Sequence, residues 1–485
     1  MSKVLLVRML SWFSIWVTAT NLIGQVTLTG ADLVEFLTLP YLQNVKPNGI
    51  TIMWELDSQV VSQVEYGIDE TYGEFTPATV ESSGFNTFIY RCVLTGLSPG
   101  LRYHFRVVSG GNADQDRSFR TAPDGPADFS FGVWSDSQGF NRGAYPPDPL
   151  EPTKRMMAHL AESGVDFAVT AGDLAENGNA YQDTRDFYLD RIAKFLGQTV
   201  PWFVAWGNHD GSRSAVLRKF ADMPSKDRPG FDPGYGSFSF DYGGCHFICI
   251  DFLTMRSDID NWLESDLQSP ANRDARFTFL FVHVPPYCEV WIDGDGYLRA
   301  NLVPLMEQYG VDACFSGHTH EYSRGFLHHV HYCVTGGGSW LDLTEPLVAD
   351  WEHMTVGGQH SIPGVSRPGP NRGGGLINEY VRVQVDQVSF EAFMEGFEPD
   401  GKSIGVLDSF GSSLPIIQVY MNADRDEIQL TWIGGSGPFQ LQKTAELMDN
   451  WENIGNLRDD GNRSVAVPIG PGTAFYRVLE IRPGP

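Results

Sequence analysis

The sequence predicts a central α/β (α+β) domain with β-sheets flanked by helices, a β-sandwich before it and a small all-β domain after it. Three observations carry that reading. Residues 35–122 alternate apolar and polar side chains on a period of two. Between residues 127 and 398 short apolar runs alternate with segments of helical period, and after residue 414 the period of two returns. At 485 residues the chain is too long for one core, and about three domains are expected at roughly 100–200 residues each.

In chain order, Lys3 and Arg8 precede an apolar stretch over residues 9–23 that ends at Gly24 and Gln25. Residues 1–24 therefore read as a secretory signal peptide, too short for a bilayer span of ~20 residues. The expectation is a secreted, periplasmic or cell-surface protein with no membrane span after cleavage. In the sandwich, Ile50, Ile52, Trp54 and Leu56 fall on one strand face, and Tyr103, Phe105 and Val107 on another. Turn signals at Lys46, Pro47, Asn48, Gly49 and at Ser98, Pro99, Gly100 separate such strands. Pro123, Asp124, Gly125 and Pro126 make a stiff break. Beyond it, helices are predicted over residues 153–164, 181–196, 259–267 and 298–309. Residues 336–375 are rich in Gly and Pro and fit long loops; Gly336, Gly337 and Gly338 lack a following helix, so they suit close backbone packing near a site rather than a phosphate loop. His328, His329 and His331 read as strand residues rather than a second metal site. Strands follow over 379–385 and 388–393, then a polar linker over 399–413. In the tail, Ile428, Leu430, Trp432, Phe439 and Leu441 alternate, and residues 474–478 supply a closing strand. Cys92, Cys245, Cys249, Cys314 and Cys333 lie in apolar strand-like runs, which leaves free thiols and one or two bridges both open.

The formal net charge is −26 and the isoelectric point near 4.7. Such a surface repels nucleic acid and anionic membrane, so no nucleic-acid-binding surface is expected, and a phosphate-bearing partner needs a concentrated local cation.

Five apolar runs of the central domain end in residues suited to metal binding: one at Asp136, one at Asp173, one at Asn208 and His209, one at His283, and one at His318 and His320. In α/β sheets, sites gather at the carboxyl ends of strands. Carboxylates, an amide oxygen and imidazoles together suit two divalent or trivalent transition-metal ions (Fe, Mn or Zn). Calcium would want oxygen alone, and a structural zinc would want thiolates. A carboxylate bridge holds two such ions ~3.5–4 Å apart, and Asp173 is the candidate bridge.

The ordered set Asp136, Gly172 with Asp173, Gly207 to Asp210, His283, and Gly317 to His320 resembles the calcineurin-like metallophosphoesterase superfamily. The sandwich before it resembles the fibronectin-like N-terminal domain of purple acid phosphatases. The resemblance, over about residues 35–395, implies that Asp136, Asp173 and His320 hold one metal and that Asp173, Asn208, His283 and His318 hold the other. It implies a hydrolase of small phosphate esters in which a metal-activated hydroxide attacks, His209 stabilises or protonates the leaving group, and Asp210 orients His209. Three departures qualify it. Glu176 stands where purple members carry the iron-binding tyrosine, so no purple colour is expected. Gln138 stands where other members carry a histidine, leaving Gln138 or Glu176 as a possible fourth ligand of the first metal, and residues 284–317 contain no histidine. The readings that compete are a phosphodiesterase instead of a phosphomonoesterase and, in another class, a surface binding or adhesion protein with an idle central domain.

Overall fold

The structure is a computed structural model that describes residues 34–139, 150–212, 214–224, 236–251, 256–360, 362, 375–414, 416–421, 427–433, 439–445, 451–458, 463–468 and 474–480. The segment read as a signal peptide lies outside these residues.

Two sheets build the centre. One runs in the order Ser403–Ser413, Ser389–Phe397, Asn378–Val385, Phe129–Trp134, Phe167–Thr170, Trp202–Val204, Phe36–Lys46, Gly49–Leu56, Phe88–Thr95, Thr79–Ser82. The other runs Phe238–Tyr242, Cys245–Ile250, Thr278–Val282, Ala313–Ser316, Val330–Thr335, Tyr322–Leu327, Met354–Val356. The strands that end at the candidate ligands are mutually parallel within each sheet: Phe129–Trp134 with Phe167–Thr170 and Trp202–Val204, and Thr278–Val282 with Ala313–Ser316. Parallel strands buried on both faces need apolar side chains throughout, and phenylalanine supplies them here. Phe131 meets Phe247 and Phe279 edge-on at 5.2 and 5.1 Å, and Phe203 stacks on Phe240 at 3.9 Å. These contacts join the two sheets into one aromatic core.

Helices cover the outer faces. The Leu150–Glu162 helix lies on the first sheet, where Gly132 leaves room for Leu160. Helices Arg256–Leu267 and Gly296–Tyr309 cover the second, packing Leu263, Leu267, Leu302 and Met306 on Ile248, Ile250, Leu280 and Val282. Asp295 caps the latter helix by accepting from the amides of Tyr297 and Leu298, and Gly310 ends it at φ 82°.

Four expectations change. Residues 181–196 are helical, but Thr184–Ala193 follows the wider π period, and the buried band includes the Arg191 guanidinium, which donates to the carbonyls of Ser137 and Gly139 beside the site. The Gly49–Leu56 strand is buried on both faces, because Phe36–Lys46 pairs in parallel with Trp202–Val204 and the sandwich sheet continues into the central one. Its polar face is bound inward: Thr51 donates to Asp222 at 2.7 Å, and the wholly buried Glu55 takes Arg185 at 2.7 Å. Residues 403–413, read as linker, form an edge strand held by Arg324 and Tyr322 on Asp408, both at 2.7 Å. His328 and His329 form the tight turn between Tyr322–Leu327 and Val330–Thr335, both at positive φ, instead of strand.

All six cysteines are buried free thiols. Beyond residue 415 the described elements are strands around Leu430, Trp432, Phe439 and Leu441. Among the described residues no helix is long and apolar enough to cross a membrane.

One buried group makes stability depend on pH. His246 donates through Nδ1 to Asp241 at 2.7 Å and through Nε2 to Asp266 at 2.9 Å. Burial disfavours its charge, but the two carboxylates win and raise its pKa to about 9. A raised histidine pKa stabilises the fold fully below the unfolded value of ~6.5 and loses that contribution as pH rises through the folded value. The difference in urea midpoint between the wild type and His246→Gln is therefore expected to be largest at pH 6 and to shrink towards pH 10. A difference that stays constant across that range would mean that the histidine is uncharged.

Candidate metal centre

Asp136, Asp173 and the segment Gly207 to Asp210 follow three adjacent strands of the first sheet, while His283, His318 and His320 follow two adjacent strands of the second. The structure brings all six expected ligand residues to one place. Asp173 Oδ2 lies 3.1 Å from His283 Nε2, Asn208 Oδ1 lies 3.1 Å from the same nitrogen, and Asp136 Oδ1 lies 3.6 Å from His320 Nε2. The rings of His283 and His318 meet edge-on at 5.2 Å. Ligand atoms of Asp136, Asp173 and His283 all fall within 4.8 Å of one another.

Backbone groups fix which ring atoms face inward. Nδ1 of His283, His320 and His209 pairs with the carbonyls of Ala171, Trp340 and Glu176 at 2.7–2.8 Å. With Nδ1 protonated, Nε2 is the atom left for a ligand, as in many metal-bound histidines. Asp136, Asp173 and His318 sit at φ 56°, 54° and 71°. Non-glycine residues held in that region cost of order 1–3 kcal/mol each and persist only where the surroundings over-determine them. Gly207 faces Asp173 so closely that a Cβ would meet its Oδ1 at 2.2 Å.

The electrostatics are those of a buried acidic cluster short of positive charge. Burial raises Asp136 to about 6. Burial opposes the charge of Asp173 as well, but His283 overrides it and lowers that carboxyl. His283 is correspondingly raised to about 9, its burial outweighed by Asp173. Burial and the neighbouring His283 depress His318 to about 3. Asp136 Oδ1 and Gln138 Oε1, both buried, have no hydrogen-bond partner. Two unsatisfied inward oxygens, two close carboxylates and imidazole nitrogens turned towards them fit a pair of cations.

Gln138 belongs to the cluster, its amide nitrogen 3.3 Å from Asp173 Oδ2. Glu176 lines the cleft, and its carbonyl accepts from His209. Asp210 departs from the expectation. Its carboxylate is wholly buried and accepts from the backbone amides of Gly207, Asp173 and Leu174 at 2.8, 3.0 and 2.7 Å. The Glu176 carbonyl therefore orients His209, and Asp210 ties the loop of Asp173 to the loop of Asn208.

Sequence reading missed the wall of the cleft, about 170 Å³ in volume. Trp340 packs against His320 with ring centroids 3.9 Å apart, Trp291 against His318 at 4.9 Å, and Asp342 accepts from the His320 amide. Their one signal was the glycine run: Gly336 and Gly338 come so close to Thr319 O and Ser135 O that a Cβ would sit 2.0 and 2.1 Å away. The expectation of close backbone packing holds, and it is what delivers Ser339 and Trp340 to the site.

Comparison with known proteins agrees with this geometry. Residues 129–322 match the family described as calcineurin-like phosphoesterase, and residues 39–121 match the purple acid phosphatase N-terminal domain. The chain is 27% identical to purple acid phosphatase 22 of Arabidopsis thaliana over 290 residues, covering 55% of this chain and 62% of that protein. It is 26% identical to the serine/threonine-protein phosphatase CPPED1 of Bos taurus over 178 residues, covering 33% and 54%. The chain thus spans between half and two thirds of the length of each of these two relatives. Among solved structures, purple acid phosphatase PPD1 from yellow lupin (Lupinus luteus) seeds superposes with a TM-score of 0.57 at 19% identity, over 77% of this chain and 74% of that one. That likeness is one of fold. The chain carries a calcineurin-like metallophosphoesterase domain preceded by a purple acid phosphatase N-terminal domain.

Proposed function

We propose that the protein is a secreted or cell-surface hydrolase of phosphoric esters that works with two transition-metal ions, Fe, Mn or Zn. The observation that carries this reading is the convergence of six ligand residues from five strand ends on a buried cluster with unsatisfied inward oxygens. Asp136, Asp173 and His320 would hold one ion, and Asp173, Asn208, His283 and His318 the other, with Gln138 beside the first. Bound there, such a pair supplies positive charge for the phosphoryl oxygens and a water acidic enough to attack at neutral pH.

The chain's own groups do the rest. The Glu176 carbonyl holds His209 Nδ1 at 2.7 Å and leaves Nε2 for the cleft that His209 lines. Burial works against its proton, but Asp173 and the Glu176 carbonyl raise its pKa. A retained proton on Nε2 can pass to the departing alkoxide. No lysine or arginine occurs among the described residues that line the cleft, so the ions are the source of positive charge for the phosphate.

Metal analysis of the purified protein, with hydrolysis of p-nitrophenyl phosphate and bis(p-nitrophenyl) phosphate after loading with Mn, Zn or Fe, tests the reading and separates monoester from diester. Two ions per chain and hydrolysis of one ester are expected; no metal and no hydrolysis would favour an adhesion protein. Asp173→Asn is expected to abolish turnover and lose metal, and a fully active variant would remove the two-metal assignment. His209→Ala should lower turnover by ~10²–10⁴ with metal content near normal; loss of metal would make His209 a ligand. In Asp210→Asn an amide N–H faces backbone N–H groups, at a cost of ~1–3 kcal/mol. Lower thermal stability and weaker metal retention are expected, with turnover preserved at saturating metal. A turnover loss matching that of His209→Ala, at unchanged stability, would return Asp210 to a role through His209.

A further inference from the structure

The wall of the cleft carries information that the ligand set does not. Trp291 sits at φ 67°, and the Ile292 amide donates to the Val290 carbonyl at 2.7 Å, so Trp291 is the central residue of a tight γ-turn of positive φ. That turn is rare and strained, the more so around a bulky side chain. The residue is nevertheless 43% exposed while its ring packs against His318 with centroids 4.9 Å apart. Strain combined with exposure is not what a packing tryptophan shows, and strained backbone of this kind clusters where ligands bind.

The turn is fastened to the opposite rim. The Trp291 amide donates to Pro346 O at 2.8 Å, and Val290 bridges Leu347, which puts Glu345 next to the anchor of the tryptophan. Glu345 lines the same cleft as Trp291, together with Glu176 and the half-buried Trp340. Besides Asp173 of the cluster and Asp342, which accepts from the His320 amide, two indole rings and the carboxylates of Glu176 and Glu345 thus flank the place where a phosphate ester would carry its alcohol, with no lysine or arginine among the described lining residues. An apolar alcohol would suit the indoles and leave the carboxylates desolvated, and an anionic one would be repelled. A cation satisfies both, since an ammonium is drawn to an indole face and paired by a carboxylate.

From this geometry we infer that the site selects phosphoric esters whose alcohol carries an ammonium group of the choline or ethanolamine kind, with Trp291 and Glu345 as the specificity residues. The inference rests on the hydrolase reading above. The test compares phosphocholine with its uncharged carbon isostere, 3,3-dimethylbutyl phosphate, on the metal-loaded protein. A preference of about tenfold in kcat/KM for phosphocholine is expected, carried mainly by KM. Trp291→Leu and Glu345→Gln should each bring that ratio towards one, and because the ratio is taken within each variant a general loss of activity does not mimic the effect. Calorimetric titration with choline against 3,3-dimethylbutan-1-ol supplies a readout independent of turnover, with choline the tighter binder. A ratio at or below one in the unaltered protein, or a ratio unmoved in both variants, overturns the inference. If neither ester nor p-nitrophenyl phosphate is hydrolysed, the hydrolase reading falls, and choline binding still decides the subsite.

Discussion

Two carboxylates, Asp136 and Asp173, are held in the protein interior at the ends of adjacent parallel strands, with ligand atoms within 4.8 Å of each other and of His283. Two like charges at that spacing repel by ~3 kcal/mol even at an effective dielectric of 20, before the cost of removing them from water. In the chain alone His283 supplies part of the compensation, which is why burial fails to neutralise its ring. Much of the surrounding architecture serves to hold this unfavourable arrangement in place. Four of the nine non-glycine residues at positive φ among the described residues, Asp136, Asp173, Trp291 and His318, belong to this one cluster or its cleft. A strained, undercompensated cluster gains from binding cations, and its preorganisation spares the ordering cost at the moment of binding.

The bracing is done by groups of other kinds. Asp210 collects three amides from two loops, Arg191 caps the carbonyls of Ser137 and Gly139 from below, and Ser339 donates to the carbonyl of Asp136. Each contact is made to backbone, so each fixes the path of a loop without engaging the side chains of the cluster. The phenylalanine core does the equivalent work at larger scale. By joining the sheets through Phe131, Phe247 and Phe279 it sets the distance between the strand ends of one sheet and those of the other.

The convergence of Asp136, Asp173, Asn208, His283, His318 and His320 is legible in the sequence because its signal is local: an apolar run of strand length followed at once by a side chain of a type that can bind metal. The helices read over 153–164 and 298–309 are found at Leu150–Glu162 and Gly296–Tyr309, the first with its apolar side chains gathered on one face. What could not be read depends on contacts across the chain. The polar face of Gly49–Leu56 looks solvent-directed in isolation and is buried only because Asp222, from far along the chain, and Arg185 meet it. Asp210 beside His209 suggests a catalytic pair, yet its three partners belong to the backbone, two of them 36 and 37 residues away, which no side-chain pattern encodes. Residues 403–413 read as linker because an edge strand needs few apolar residues, and Phe410 is the one that is buried. The tryptophan wall is a product of loop path, and loop path is where single-sequence reasoning has least purchase.

The charge of the whole chain gives these local facts their weight. A protein of net charge −26 repels phosphate at long range, although screening confines that repulsion to ~8–10 Å at physiological salt. Within that distance of the site, attraction has to come from something concentrated, and the described walls of the cleft hold carboxylates and indoles instead of lysine or arginine. The same cations that relieve Asp136 and Asp173 would then be the phosphate-binding groups, so neutralising the cluster and capturing the substrate become one event. Such an arrangement leaves little discrimination to the phosphoryl group, which any metal pair would take. Selectivity passes to the alcohol, and therefore to the rim on which Trp291 and Glu345 stand.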